Sequence, residues 1–127
     1  MEKSEKTLSK KTLVMGASTK PERYSNKAIK SLRKHGLETI AVGLREGQVE
    51  DVEITKEGKM FEDIHTITVY VGADRIAESI DYLLSLKPKR IIFNPGAENP
   101  EFLMKAKEAG IEVVNACTLV LLATEQY

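Results

Sequence analysis

Five short apolar runs recur along the chain, and each is rich in β-branched residues without alternation of polar and apolar positions. They cover residues 12–15, 39–42, 67–71, 91–93 and 113–114. Continuous apolar runs of this length are typical of strands that are buried on both faces of a parallel sheet. The pattern therefore predicts a sheet with five buried strands.

Three helical patterns lie between these runs, because apolar residues recur there at intervals of three or four. They cover residues 28–32, 76–84 and 102–109. Ser25 is the predicted N-cap of the first helix, and Pro100 suits the first turn of the third. Strands that alternate with helices in this way predict a doubly wound α/β fold.

One segment breaks the alternation, since polar residues and three glycines dominate residues 43–64. We interpret it as a loop that contains one short strand or hairpin rather than a helix. The whole chain then forms one three-layer domain with a mainly parallel sheet. We expect residues 11–127 to form this domain and residues 1–10, which are mostly charged, to be a flexible lead-in.

Charge and composition exclude several classes of function. The 127 residues carry 19 basic and 19 acidic side chains, so no overall positive field attracts nucleic acid or an anionic membrane. No apolar run approaches the roughly 20 residues of a membrane span, and the charged N-terminus does not resemble a signal peptide. A single cysteine excludes an internal disulfide, and two distant histidines give no metal-ligand spacing. We therefore expect a cytoplasmic protein.

The carboxyl ends of the strands form the ligand crevice in doubly wound sheets. The first strand is followed by Gly16, Ala17, Ser18 and Thr19, whose small side chains let peptide N–H groups approach an anion beside the N-terminus of a helix. A plain turn between strand and helix is the alternative. The second strand is followed by Arg45, which suits a ribose phosphate, although a solvated loop arginine is the more common outcome for a single residue. No dinucleotide fingerprint and no acidic residue occur here, so an NAD site is not predicted.

The other strand ends carry further candidate residues. Tyr70 ends the third strand, where it either packs against a ligand or belongs to the core. Residues 94–100 contain two prolines and a glycine, which indicates a tightly shaped loop. Cys117 precedes a helix, where a reactive thiol is conceivable, although free cysteines are commonly small buried apolar residues.

Four stretches carry a resemblance to a known family: GAST with KPERYSNKA, TVYVGAD, IIFNPGAENPEF and NACTLVLL. The chain resembles the CoA-binding domain proteins, which are stand-alone relatives of the N-terminal Rossmann-like domain of the succinyl-CoA synthetase alpha subunit. The resemblance covers about residues 11–127. The phosphohistidine of the synthetase lies in a second domain that is not present here, so the resemblance does not imply its catalysis.

The resemblance implies coenzyme A or an acyl-CoA as the ligand, with its pyrophosphate on the first loop. The implied contacts are Gly16, Ala17, Ser18, Thr19 and Arg23 for the pyrophosphate, Val42, Leu44 and Arg45 for the adenosine end, Tyr70, Val71 and Gly72 at the third tip, and Pro95, Gly96, Glu98, Asn115 and Cys117 along the pantetheine. Arginine at position 45 replaces a lysine of the synthetase, and the third tip lacks the proline of the family pattern.

Several functional hypotheses stay open at this point. The first is a small CoA-binding protein with no catalysis of its own, which forms a homo-oligomer or acts alone. The second is an acyl-transfer or thioesterase-type enzyme that uses Cys117 or Glu98. The third is an interaction subunit whose pocket is filled by side chains. The fourth and weakest hypothesis is an NADP-type site, which depends on Arg45 alone.

Overall fold

The computed structural model describes residues 10–127. The predicted lead-in over residues 1–10 therefore lies outside the described residues, except for Lys10. Lys10 is half-buried, and its Nζ donates a hydrogen bond to the backbone oxygen of Tyr127.

A seven-stranded sheet forms the centre of the domain. Its strands are β1 (Thr12–Met15), β2 (Thr39–Val42), β3 (Gly47–Val49), β4 (Val52–Thr55), β5 (Thr66–Val69), β6 (Arg90–Phe93) and β7 (Glu112–Asn115). They lie in the order β3-β4-β2-β1-β5-β6-β7, and all neighbours are parallel except β3 and β4. The predicted mainly parallel doubly wound sheet is confirmed.

Helices cover both faces of this sheet. They are α1 (Tyr24–Lys34), α2 (Ala73–Ile76), α3 (Ile80–Ser85), α4 (Pro100–Glu108) and α5 (Thr118–Ala123), with a 3-10 turn at Ala77–Ser79 between α2 and α3. Two separate apolar cores show the layering. Leu13 and Met15 of β1 belong to the core beneath α2, α3 and α4, whereas Val14 belongs to the core beneath α1 and α5. Alternate residues of one strand thus feed opposite layers.

The boundaries differ from the prediction in several places. The strand predicted over 67–71 ends at Val69, and the continuous helix predicted over 76–84 is interrupted by the 3-10 turn, where Ser79 donates to Glu57. Ser25 is not an N-cap, because α1 starts two residues earlier than that assignment requires, after a turn closed by the Arg23 N–H and the Lys20 carbonyl. Arg23 occupies the cap position without a capping side chain.

The irregular segment after β2 forms a hairpin that joins the sheet. β3 and β4 pair in antiparallel fashion, and β4 continues the sheet in parallel beside β2. Arg33 of α1 holds the hairpin through two hydrogen bonds to Asp51, with Nε–Oδ1 and Nη2–Oδ2 distances of 2.9 and 2.7 Å. This bidentate contact lowers the pKa of Asp51.

The register of the three central strands aligns their carboxyl ends. Met15 of β1 lies opposite Val42 of β2 and Val69 of β5. The segments that follow these residues therefore emerge side by side at one edge of the sheet. The predicted ligand crevice lies at this edge.

Candidate functional site at the carboxyl end of the sheet

The loop of residues 16–19 after β1 is wedged between the ends of β2 and β5. Gly16 has a φ of +95°, and a Cβ atom there would lie 2.8 Å from Cγ2 of Val71. A Cβ on Gly43 would lie 2.4 Å from the Ala17 carbonyl oxygen, and one on Gly47 would lie 2.5 Å from Cγ2 of Thr19. Three glycines thus allow contacts that no larger residue permits. The loop has little room to change shape.

The hydrogen bonds of the loop show which of its amides already have an acceptor. The N–H groups of Gly16 and Ala17 both donate to the Val42 carbonyl, each at 2.9 Å. The Lys20 N–H donates to Ser18 Oγ at 3.1 Å. Within residues 10–127, the N–H groups of Ser18 and Thr19 have no acceptor. Gly16 and Ala17 therefore shape the loop, while Ser18 and Thr19 supply its available amides.

The N-terminus of α1 adds further donors beside this loop. Arg23 makes no side-chain cap, and the N–H groups of Tyr24, Ser25 and Asn26 find no acceptor in the part of the chain that the structure describes. The Asn26 side chain donates to the Ser18 carbonyl at 2.9 Å and so ties the loop to the helix. A helix of 11 residues presents a partial positive charge at this end. Loop and helix together present five unpaired amides, the arrangement that favours an anion.

The end of β2 presents an exposed apolar and an exposed basic residue. Leu44 is 72% exposed, and Arg45 is exposed and forms no ion pair with any described residue. Val42 is fully buried, and its side chain packs in the core beneath α2, α3 and α4. Of the three residues predicted at this tip, Val42 thus contributes through its carbonyl contacts with the loop, and only Leu44 and Arg45 face solvent.

Tyr70 follows β5, and its half-buried side chain packs against the core beneath α1 and α5, with the hydroxyl near Thr118 and Thr68. Burial raises the pKa of Tyr70 to about 12, so the phenol stays protonated and is a hydrogen-bond donor at neutral pH. Its hydroxyl is buried and makes no hydrogen bond to the described residues. Val71 is half-buried beside Gly16, and Gly72 is the exposed N-cap of α2.

A buried polar network links the ends of β5 and β6 to α5. The Asn94 side chain donates to Thr68 Oγ1 at 2.7 Å and to the Val69 carbonyl at 2.9 Å, and its Oδ1 accepts the Thr118 N–H at 2.8 Å. The hydroxyls of Thr68 and Thr118 are 2.7 Å apart. Asn94 therefore fixes the start of α5, and with it the half-buried Cys117 at the N-cap position.

The loop after β6 is ordered by its own hydrogen bonds. Glu98 Oε1 accepts the Gly96 N–H at 3.0 Å, and Pro95 and Gly96 are exposed. Glu98 and Asn115 line a groove of about 460 Å³ against α4, and the residues of the loop after β1 do not line it. The predicted contact residues thus fall into two groups, one around the β1 loop and one on the β7 side of α4.

Both histidines lie away from this edge of the sheet. His35 follows the last turn of α1 and His65 precedes β5, so both are at the amino end of the strands. Cys117 therefore has no imidazole beside it that could act as a base. Within residues 10–127 no group of three or more histidine, cysteine, aspartate or glutamate side chains is placed to hold a metal ion.

The sequence interpretation missed Gly43, Gly47, Asn26 and Asn94. The two glycines follow the second strand at a spacing of four residues, which is a signal for close backbone approach that was available in the sequence. The two asparagines carry no such signal, because Asn94 bonds groups 24 to 26 residues away and Asn26 bonds a loop carbonyl whose position depends on the turn before α1.

The fold defines an α/β protein of the Rossmann-like class, and amides without an acceptor among the described residues lie beside the carboxyl end of β1. The chain matches the model of the CoA binding domain over residues 10–123. It belongs to this family, which supports a general role in CoA binding, and the resemblance recognised in the sequence is confirmed.

Solved structures agree with this assignment. A crystal structure described as that of an uncharacterized protein is 42% identical, with a TM-score of 0.90 over 93% of this chain and 98% of its own. A hypothetical protein from Pyrococcus horikoshii OT3 is 27% identical, with a TM-score of 0.81 over 94% and 87% of the two chains. A Thermus thermophilus protein is 25% identical, with a TM-score of 0.78 over 99% and 98%. A search of the curated proteins finds no match.

Within the described residues, no helix has the length and apolar character that a bilayer crossing requires.

Proposed function

We propose that the protein binds CoA or an acyl-CoA, with the pyrophosphate held at the carboxyl end of β1. One observation carries this proposal. The amides of Ser18 and Thr19 and those of the first turn of α1 lack acceptors, and they adjoin the positive end of a helix dipole. Arg23 at the exposed cap position adds a positive charge to the same edge.

The adenosine end of the ligand lies over the tip of β2 in this proposal. Arg45 pairs with the 3′-phosphate, and the exposed Leu44 covers one face of the adenine. Leu44 supports this assignment because an apolar side chain at 72% exposure gains from being covered.

The pantetheine arm leads along the ends of β5 and β6. Val71, Gly72, Pro95 and Gly96 offer small or apolar surface, and the Tyr70 hydroxyl is a donor without a partner in the described chain. No catalytic step is proposed, because the two histidines lie at the opposite edge from Cys117. The protein holds its ligand in this proposal, and the chemistry belongs to another protein.

Calorimetry tests the proposal with a cycle of two ligands and two proteins. CoA and 3′-dephospho-CoA are titrated at neutral pH and low salt into the wild type and Arg45→Ala. We expect CoA to bind with saturation and Arg45→Ala to lose about 1.5–3 kcal/mol of CoA affinity, as for one charge-assisted contact. The same substitution leaves binding of 3′-dephospho-CoA nearly unchanged.

A charge-matched control separates the effect of a local contact on CoA affinity from the effect of the protein's overall charge. Lys34→Ala removes one positive charge at the far end of α1, where the side chain is exposed. It leaves both affinities unchanged. The absence of saturable binding of CoA to the wild type would overturn the proposal, and an equal effect of Arg45→Ala on both ligands would overturn the position of the 3′-phosphate.

A further inference from the structure

The two edges of the sheet differ in how they are protected. β3 is a three-residue strand in a hairpin, and exposed polar residues such as Gln48, Glu50 and Asp51 surround it. Short strands and charged side chains are the usual protection of an edge. β7 is also short, with exposed Glu112 and Asn115 at its ends, but Met104 of α4 lies beside Asn115 and is 60% exposed. The β7 edge therefore combines an apolar surface with a single charged residue, whereas charged and polar residues surround the β3 edge.

The hydrogen bonds of β7 show which of its backbone groups face outward. The Glu112 N–H donates to the Lys89 carbonyl at 3.1 Å, and the Ala116 N–H donates to the Phe93 carbonyl at 3.2 Å. Both groups point toward β6. Since backbone groups alternate in direction along a strand, those of Val113 and Asn115 point away from the sheet. Neither residue has an acceptor for its N–H among residues 10–127.

We propose that β7 pairs with β7 of a second copy of this chain in antiparallel fashion, across a two-fold axis. The outward groups fix the register, because hydrogen-bonded pairs form only between outward-facing residues. Val113 pairs with the partner's Asn115, and Asn115 pairs with the partner's Val113. Each pair exchanges two hydrogen bonds, and Val114 faces the partner's Val114 at the axis.

The pattern of side chains favours a second copy as the occupant of this edge. In the proposed register Glu112 faces the partner's Ala116, so no like charges oppose each other. A register that pairs Val113 with the same residue of the second copy would place Asn115 opposite Ile111 of that copy. This register is disfavoured, because the Ile111 N–H already donates to the Ala106 carbonyl at 3.0 Å and is not free to pair across the interface. The two-fold pairing is also closed, since it leaves the protected β3 edges at the two ends of the joined sheet.

Disulfide trapping tests the register directly. The Val114 pair is of the non-hydrogen-bonded type, with an expected Cα–Cα distance of about 4.5 Å that suits a disulfide. We expect Val114→Cys in a Cys117→Ser background to form a covalent dimer under mild oxidation, as seen by non-reducing electrophoresis. Gln48→Cys in the same background is the matched control on the β3 edge, and it stays monomeric on the gel.

Sedimentation velocity tests the assembly without a cross-link. We expect the wild type and Gln48→Lys to sediment as dimers and Val114→Lys as a monomer, because two lysines then meet at the axis. Circular dichroism and thermal melting establish that the monomer is folded. A wild type that sediments as a monomer at its highest soluble concentration overturns the proposal. A Val114→Lys variant that still sediments as a dimer also overturns it. The same holds if Val114→Cys forms the covalent dimer no faster than the Gln48→Cys control.

Discussion

Both ends of the sheet carry polar groups, but the two ends use them differently. At the amino end, Thr12, Thr66 and Arg90 lie in register on neighbouring strands. Tyr127 shares a hydrogen bond with Thr12 and lies with its ring 4.5 Å from the Arg90 guanidinium, while Arg90 Nε donates to Thr66 at 3.0 Å. One nitrogen of Arg90, Nη2, lacks a partner among the described residues, but it is buried beneath this cover. The polar side chains at the amino end of the sheet are thus covered by Tyr127, and we call this end closed.

At the carboxyl end the available donors face an open edge. The Ser18 and Thr19 amides, like those of the first turn of α1, have no acceptor within residues 10–127. Glycines hold the loop in place without filling the space around it. Among the described residues, backbone donors without an acceptor set the carboxyl end apart from the amino end, whereas polar composition alone does not. The predictions below test this difference.

The largest effect is expected from Gly43→Ala, which places a methyl group 2.4 Å from the Ala17 carbonyl oxygen. The loop after β1 must shift, so we expect about 3 kcal/mol less free energy of unfolding and at least a tenfold loss of CoA affinity. Urea unfolding and calorimetry measure the two effects.

Gly36→Ala is the control for this substitution. Gly36 has a φ of +76° with open space around it, so alanine there introduces backbone strain of about 1 kcal/mol without a clash. It leaves CoA affinity unchanged. Equal effects of the two variants on affinity would contradict the role of the wedged loop.

Tyr127→Phe tests the closed end of the sheet. The variant removes the hydroxyl that bonds Thr12, whose Oγ1 keeps its hydrogen bond to the Lys10 carbonyl. We expect the free energy of unfolding to fall by about 1 kcal/mol, with no change in CoA affinity. A loss of CoA affinity in this variant would show that the amino end is not merely structural.

Tyr70→Phe is the matched change at the open end. The hydroxyl of Tyr70 is buried without a partner in the described chain, so its removal costs no internal hydrogen bond. We expect the stability without ligand to stay the same or rise by up to about 1 kcal/mol, and the affinity for CoA to fall. Destabilisation as large as that of Tyr127→Phe would disprove the distinction between the two tyrosines.

The smallest effect concerns pH and His65 at the amino end. Burial lowers the pKa of His65 from 6.5, and the positive charges of Arg90, Lys10 and Lys89 add to this effect, while Glu112 opposes it. The unfolded chain therefore binds a proton more readily than the folded one. The free energy of unfolding falls as the pH drops through 6.5 toward the folded pKa.

Urea unfolding at several pH values measures this slope. His65→Asn removes the titrating group, so we expect a flatter dependence of stability on pH below 6.5. CoA affinity stays unchanged in the variant, because His65 is remote from the open end. A slope equal to that of the wild type would contradict the assignment.

The sequence predicted the central strands well and the edges less well. β1 and β2 have the predicted bounds, because their apolar runs end abruptly at a glycine after Met15 and after Val42. β7 extends one residue beyond the predicted pair at each end, since Glu112 and Asn115 are exposed polar residues of an edge strand. An edge strand does not need the apolar pattern of a buried one.

The roles of individual site residues depend on register, which the sequence does not give. The amides of Gly16 and Ala17 look available from composition, but the pairing of β1 with β2 directs both to the Val42 carbonyl. Asn94 acts through a partner far along the chain, at Thr118, and Asn26 bonds the Ser18 carbonyl only because the loop after β1 folds back onto α1. Such contacts exist only once the strands are assembled.

The central claim is that the open donors at the carboxyl end hold the pyrophosphate. Titration of the isotope-labelled protein with CoA, followed through backbone amide resonances, tests it most directly. The account predicts that the amides of Ser18 and Thr19 and of the first turn of α1 shift with saturation, while those of Thr12, Thr66 and Arg90 do not. Shifts confined to α4 and β7, or to the amino end, would contradict it.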